Sequence, residues 1–364
     1  MNNFNRRNFI KTSVLGGIAL SSPMPWLNGA PSVGKKSPEN LPTRVSVSTA
    51  NDRADLTFKA LQPFSREIRQ AIGNKMVVLK PNNVLIYVPL AATHVETLEG
   101  VLEFLKSINK DKNVIIAESS ASGSTLEGFD NYGYYSLLKK YPVKLVDLDA
   151  GPSENMYVTD ERDFKPHLIK VSSITTDKNS YLVSVARMKT HTSVGATLSL
   201  KNIVFGVPIK DHGFMLYNED KRFSDKAKES KAGAVSWKRL IHGSGMHAVN
   251  YNMALLAQKL HPDLAIIDGF IGMEGNGPTL GTPIEHKVCV VSQDWLAADR
   301  IGAELMGIDP LKIGYLNHSA SMGLGNFDRS SYEIIGENIK DHIKSYQLPK
   351  NFDSIISWMN PKTS

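Results

Sequence analysis

The chain has 364 residues, enough for two domains or for one large α/β domain with a full core. Its apolar fraction of 41% and charged fraction of 21% are ordinary for a globular protein, and a formal charge of +6 is too mild to argue for nucleic acid, which needs a clustered basic face. Cys289 is the only cysteine, which excludes an internal disulfide, a cysteine-ligated iron–sulfur cluster and a cysteine-based zinc site.

Residues 1–30 have the layout of an export signal: Arg6, Arg7 and Lys11, then the apolar run T-S-V-L-G-G-I-A-L, then small residues up to Ala30. The run is far shorter than the roughly 18–20 residues that span a bilayer. Adjacent arginines followed by Phe9, Ile10 and Lys11 resemble a twin-arginine signal, with a Sec-type leader as the other reading. The expected partner is then the twin-arginine export machinery, and the expected location is periplasmic. That route carries folded proteins, often with a cofactor already bound, so a cofactor stays open. Residues 31–43 are rich in Pro, Ser, Lys and Gly and read as a tether. No second stretch is apolar enough to cross a membrane, so no span is expected after leader removal.

Residues 44–345 read as an α/β domain. Arg44 to Ser48 alternates like a short edge strand. Asp52 can cap a helix from Arg53 to Ile72, broken at Pro63 and ended by Gly73-Asn74. Short apolar strands follow at Met76–Lys80, Asn113–Ala117 and Val143–Leu148. Helices between them are expected at His94–Ile108, capped by Thr93, and around Tyr134–Lys140. A serine-rich loop spans Ser119 to Gly128. This alternation predicts a mostly parallel sheet flanked by helices on both faces, in one or two α/β lobes.

The stretch from Tyr181 to Pro208 is central. A strand from Tyr181 to Ala186 delivers Lys189 and His191, and a helix after a small-residue loop carries Lys201 and Asn202. Residues 209–247 have little periodicity and read as a lid-like insertion; within it the lysine-rich tract 221–238 also holds Asp225 and Glu229, as a solvated loop does. Beyond lie a helix at Val249–Leu260, a strand at Leu264–Ile267, a glycine-rich loop from Gly269 to Pro283 and a strand at Lys287–Ser292. Asp294 caps a helix from Trp295 to Met306, and Tyr332–Ile335 is a last short strand. Residues 346–364 read as a C-terminal tail.

In open parallel sheets, ligands bind outside the carboxyl ends of the strands. Here those ends carry Lys80, Asn82, Glu118, Lys189, His191 and Asp268, with Glu274 in the next loop. Lysines, a histidine and amides suit a small carboxylate or phosphate, and helix N-termini near the same rim would add donors. A desolvated lysine could also act as a base or Schiff-base nucleophile. The expected catalytic groups are Lys189, His191, Asp268 and Glu274. Lys80, Asn82, Glu118, Lys201, Asn202 and Gly277 are the expected substrate contacts. Asp268, Glu274 and Asp299 have the oxygen chemistry for a divalent metal. His242 and His247 form a second candidate metal pair, although Gly243 and Gly245 between them favour a loop. The P-loop, nucleophile-elbow and H-E-x-x-H signatures are absent.

Five segments in order resemble the domain of unknown function 362 family. They are V-V-L-K-P-N, A-R-M-K-T-H followed by T-L-S-L-K-N-I-V-F-G, I-I-D-G-F-I-G-M-E-G-N-G-P-T-L-G, Q-D-W-L-A-A-D-R-I-G-A-E-L-M-G-I-D-P, and G-L-G. The resemblance covers roughly residues 75–336. It implies that Lys80, Asn82, Lys189, His191, Lys201, Asn202, Asp268, Glu274, Gly277, Pro278 and Asp299 are the family-pattern positions. Some relatives carry a ferredoxin-like part, a feature that this chain, with Cys289 alone, cannot share. Trp295 and Leu296 stand where the family has Pro and Val, a change expected to affect packing. The resemblance implies no particular reaction. The expected function is an exported enzyme acting on a small anion, with a divalent metal as an option. The alternative is a ligand-binding or maturation protein without catalysis.

Overall fold

The computed structural model describes residues 42–212, 214 and 233–360. The leader, nearly all of the tether, and the middle of the lid-like insertion lie outside the described residues. In chain order the strands are β1 (Thr43–Thr49), β2 (Met76–Lys80), β3 (Val114–Glu118), β4 (Val143–Asp147), β5 (Ser153–Thr159), β6 (Pro166–Ser172), β7 (Ser180–His191), β8 (Gly195–Thr197), β9 (Leu264–Asn276), β10 (Leu280–Ser292) and β11 (Tyr332–Gly336). The α-helices are α1 (Arg53–Leu61), α2 (Ser65–Ile72), α3 (Val95–Ser107), α4 (Thr125–Asn131), α5 (Ser199–Gly206), α6 (Met246–Ala257), α7 (Trp295–Leu305), α8 (Gly314–Ser321) and α9 (Phe352–Ile355).

One mixed, mostly parallel sheet organises these elements in the order β11-β1-β10-β9-β7-β2-β3-β4, with β8 folded back on β7. The strands of its centre are apolar on both sides, as a sheet covered by helices on both faces requires. Val77 and Leu79 of β2 enter the core beneath α1, α2 and α3, while Val78 between them enters the core beneath α5, α6 and α7. β7 divides in the same way, with Tyr181 and Val183 on one face and Leu182 on the other. The side-chain period of two therefore builds two cores from one set of strands. Among the described residues no helix is long and apolar enough to cross a membrane.

Several local expectations change. β1, expected at an edge, lies between antiparallel β10 and parallel β11. The N-cap of α3 is His94, whose ring nitrogen accepts from Glu96 N–H. Thr93 instead accepts from Asn82 N–H and donates to Val185 O, tying the end of β2 to β7. Within the serine-rich loop, Ser124 caps the additional helix α4. The polar stretch after β4 forms the antiparallel hairpin β5–β6. The glycine-rich stretch is largely not a loop: β9 and β10 continue as a long antiparallel ladder from Ser292↔Ala265 to Leu280↔Asn276. Residues 346–350 of the expected tail pack back on this ladder, while Trp358 further on donates to Lys312 O. Tyr346 is buried, Gly275 N–H donates to Gln347 O at 2.7 Å, and Gln347 N–H donates to Glu274 at 2.8 Å.

Candidate functional site

Beyond the ends of β2, β3 and β7 lies a cavity of about 300 Å³. β2 ends in Lys80 and the turn Asn82-Asn83, β3 in Glu118 and β7 in His191. α5 adds Lys201 and Phe205, and the 3-10 helix Trp237–His242 adds Lys238, Arg239 and His242. The structure thus brings together five of the sequence-predicted residues: Lys80, Asn82, Glu118, His191 and Lys201.

Lys80 and Glu118 form the floor. Both are buried, and their charged atoms stand 2.5 Å apart. Glu118 also accepts from Asn83 N–H and Ser119 N–H, each at 2.8 Å, so its oxygens are committed. Burial lowers the Lys80 pKa, opposed by the Glu118 charge and hydrogen bond. Gly206 makes room for this pair, since a Cβ there would lie 2.3 Å from Lys80 Nζ. Asn202 stands behind them. Its Oδ1 accepts from Lys80 Nζ and Asn82 Nδ2, and its Nδ2 donates to Lys80 O and Ser184 Oγ.

Among the described residues, the remaining cations of the wall face no further carboxylate in the cavity. Lys201 is buried with its ammonium 4.3 Å from the centre of the Phe205 ring, and burial brings its pKa down to about 7. Lys238 donates to Gly206 O and Pro208 O, and burial likewise brings it to about 7, with Asp149 and Glu118 pulling the other way. His191 is buried, and its Nδ1 accepts from Ser193 N–H at 2.9 Å, which leaves the ring proton on Nε2. Burial and then the Lys201 charge hold His191 neutral well below the ordinary histidine range. Arg239 and His242 are exposed at the mouth. Glu118 is the one carboxylate lining the cavity among the described residues.

Sequence reasoning missed Lys238 and Arg239, and named His242 only as one of a metal pair. They sit at the end of the lid-like insertion, where W-K-R-L-I-H places cations among apolar residues that dock as a 3-10 turn against α5 and α6. That mixture of large apolar and basic residues was the available signal. His242 and His247 do not form a metal pair: His242 borders this cavity, and His247 lines a separate cavity with Tyr251, His318 and Trp358.

The expected acidic half does not assemble. Asp268 is buried against Arg53 Nη1 at 2.7 Å, Thr97 Oγ1 at 2.7 Å and Phe270 N–H at 2.8 Å. Glu274 holds Gln347 on the hairpin. Asp299 accepts from Ser199 N–H, Ser199 Oγ, Leu200 N–H and Tyr315 Oη, and burial pushes its pKa up to about 6 against those donors. It thereby occupies the N-terminus of α5, so that helix end offers nothing to a ligand. Among the described residues no group of three His, Cys, Asp or Glu is placed to hold a metal ion. The proposed set of Asp268, Glu274 and Asp299 gives way because each carboxylate already serves as a structural acceptor.

Lys189 also lies outside the cavity wall. It is fully buried, donates to Ala91 O at 2.7 Å, and is lowered well below the lysine range by burial, then by Lys201 and Arg187. Gly277 acts through backbone: a Cβ would approach Thr190 O to 2.0 Å, and the close fit sets Pro278 at the cavity wall. Cys289 is buried and free.

Comparison with known proteins supports the family resemblance. Thylakoid-associated protein sll1697 of Synechocystis sp. is 24% identical over 250 residues, which cover 68% of each chain. The family described as Domain of unknown function (DUF362) matches residues 77–304, a span that contains every charged side chain of the cavity. The chain therefore belongs to the DUF362 family.

Proposed function

We propose that the protein is an exported enzyme that acts on a small carboxylate- or phosphate-bearing molecule held in this cavity. The observation that carries the reading is the charge of the wall: among the described residues, Lys201, Lys238 and Arg239 stand against a single carboxylate, Glu118, already neutralised by Lys80. Buried cations without a counter-ion are costly, and a bound anion supplies one. Lys201 and Lys238, with pKa values of about 7, can also give or take a proton near neutral pH. A divalent metal would enter with the substrate, because the wall offers no second carboxylate among the described residues.

A second reading, a carrier without catalysis, is favoured by one specific feature. Glu118 spends its oxygens on Lys80, Asn83 and Ser119, which leaves no carboxylate base in the wall among the described residues. Calorimetric titration with sulfate, phosphate and citrate, followed by a turnover screen of phosphate esters and carboxylic acids, separates the two. Saturable binding lost in a Lys201→Met/Lys238→Met variant supports the site, and absence of binding overturns it. Binding without turnover across the screen assigns the carrier. Export rests on Arg6 and Arg7: lysine at both positions should retain the protein in the cytoplasm, and unchanged secretion would exclude the twin-arginine route.

A further inference from the structure

Two adjacent residues in the cavity wall, Asn82 and Asn83, each hold a side-chain amide atom with no hydrogen-bond partner. Asn82 is 6% exposed and Asn83 2% exposed. A buried polar atom left unpaired costs as much as a lost hydrogen bond, so such atoms in a ligand cavity point to what the ligand must bring.

The chemistry around Asn82 fixes which of its atoms is unpaired. Lys80 Nζ can only donate, so the atom of Asn202 facing it is the oxygen. That same oxygen receives Asn82 Nδ2 at 3.1 Å, and Asn202 Nδ2 is held by Lys80 O at 2.9 Å. The Asn82 amide cannot turn over without setting oxygen against oxygen. Its Oδ1 is therefore a true acceptor without a donor. The other polar groups of the wall are mostly donors: Lys201, Lys238, Arg239 and His191 Nε2–H.

We propose that the ligand of this cavity is a hydroxylated anion, a hydroxycarboxylate or a phosphate ester of a polyol, whose hydroxyl donates to Asn82 Oδ1 while its acidic head lies against Lys201 and Lys238. This rests on the anion reading above and narrows it. An ionised carboxylate has only acceptors and cannot serve Asn82; a hydroxyl can. The Tyr134 hydroxyl gives its one proton to Thr93 O at 2.6 Å and so accepts from the amide nitrogen of Asn83, which leaves the Asn83 oxygen as a second acceptor for a ligand hydroxyl. The cavity volume of about 300 Å³ lies at the small end of ligand sites and suits such a compact molecule.

The test is calorimetry on the full chain at pH 6 with matched pairs that differ by one hydroxyl: malate and succinate, glycolate and acetate, 2-hydroxyethyl phosphate and ethyl phosphate. Sulfate serves as the probe of the cationic wall alone. The hydroxylated member of at least one pair should bind roughly ten- to a hundredfold more tightly, the range expected when a buried acceptor is otherwise left unpaired. Asn82→Leu should shrink that preference to less than about threefold, with a thermal melt to show that the variant folds. The wild-type comparison decides the matter even if the variant does not fold. Sulfate binding with equal affinities inside every pair would mean that water serves Asn82, and would overturn this proposal while leaving the anion reading in place. No binding of sulfate or of any organic anion would overturn both.

Discussion

The two lysines of the cavity wall set a specific pH dependence for anion binding. Lys201 and Lys238 both have pKa values of about 7 because burial penalises their charged forms. A group with that pKa is about nine-tenths protonated at pH 6 and about one-tenth protonated at pH 8. An anion that needs both ammonium groups should therefore bind about tenfold less well per lysine, about a hundredfold in all, across those two units. The direction is fixed by the chemistry: affinity falls as pH rises through the folded pKa. Lys201→Met should cut the pH effect to about tenfold and weaken binding at pH 6 by roughly ten- to a hundredfold, the worth of one charged hydrogen bond. The assay is titration calorimetry with sulfate, which stays a dianion throughout, at constant ionic strength. Repeating it at pH 7.5 in buffers of different ionisation enthalpy should reveal net proton uptake on binding. A wild-type affinity that is flat from pH 6 to pH 8, or a pH effect that Lys201→Met leaves intact, would refute the argument.

Three further outcomes follow from the same geometry. Folding stability should rise with pH above 7, since the unfolded lysines bind protons that the buried ones have released. Each of Lys201 and Lys238 contributes about 1 kcal/mol between pH 7 and pH 8, and urea midpoints of Lys238→Met should lack its share. Arg53→Met leaves the Asp268 carboxylate, 1% exposed, without its guanidinium and should cost roughly 3–5 kcal/mol in chemical denaturation. Gly206→Ala drives a methyl group into Lys80 Nζ and Cε; about 1–3 kcal/mol of destabilisation and weakened anion binding are expected, and an unchanged melting temperature would show that Lys80 can move aside.

Much of the fold was legible because its strands obey simple patterns. Val77, Val78 and Leu79, or Tyr181 to Val183, are apolar on both faces, which only a covered sheet explains. What failed to show was pairing at long range. Nothing local in Gly269 to Pro283 says that its glycines lie opposite a partner strand, yet Gly275 faces Gly281 and Gly272 faces Ile284 in the ladder. The site was legible by half for a related reason. Lys80, Glu118, His191 and Lys201 sit at strand ends or on the helix that follows, where topology alone brings residues together. Asp268, Glu274 and Asp299 sit in the same kinds of place, and sequence cannot tell a carboxylate aimed at a ligand from one that holds Arg53, Gln347 or the start of α5. Lys238 and Arg239 were hidden inside a segment whose composition resembles solvent-exposed loop.

The position of β1 bears on how the polypeptide acquires its shape during synthesis. Its two neighbours, β10 and β11, emerge from the ribosome long after it, and the Thr49 hydroxyl meets Glu337 across 288 residues of chain. Until then Val45 and Val47, both fully covered in the finished protein, have no partner strands to shelter them. Such separation between contacting residues slows folding and prolongs the exposure of a sticky segment. The central strands pair over shorter separations, but the sheet is sealed only when the last strand arrives.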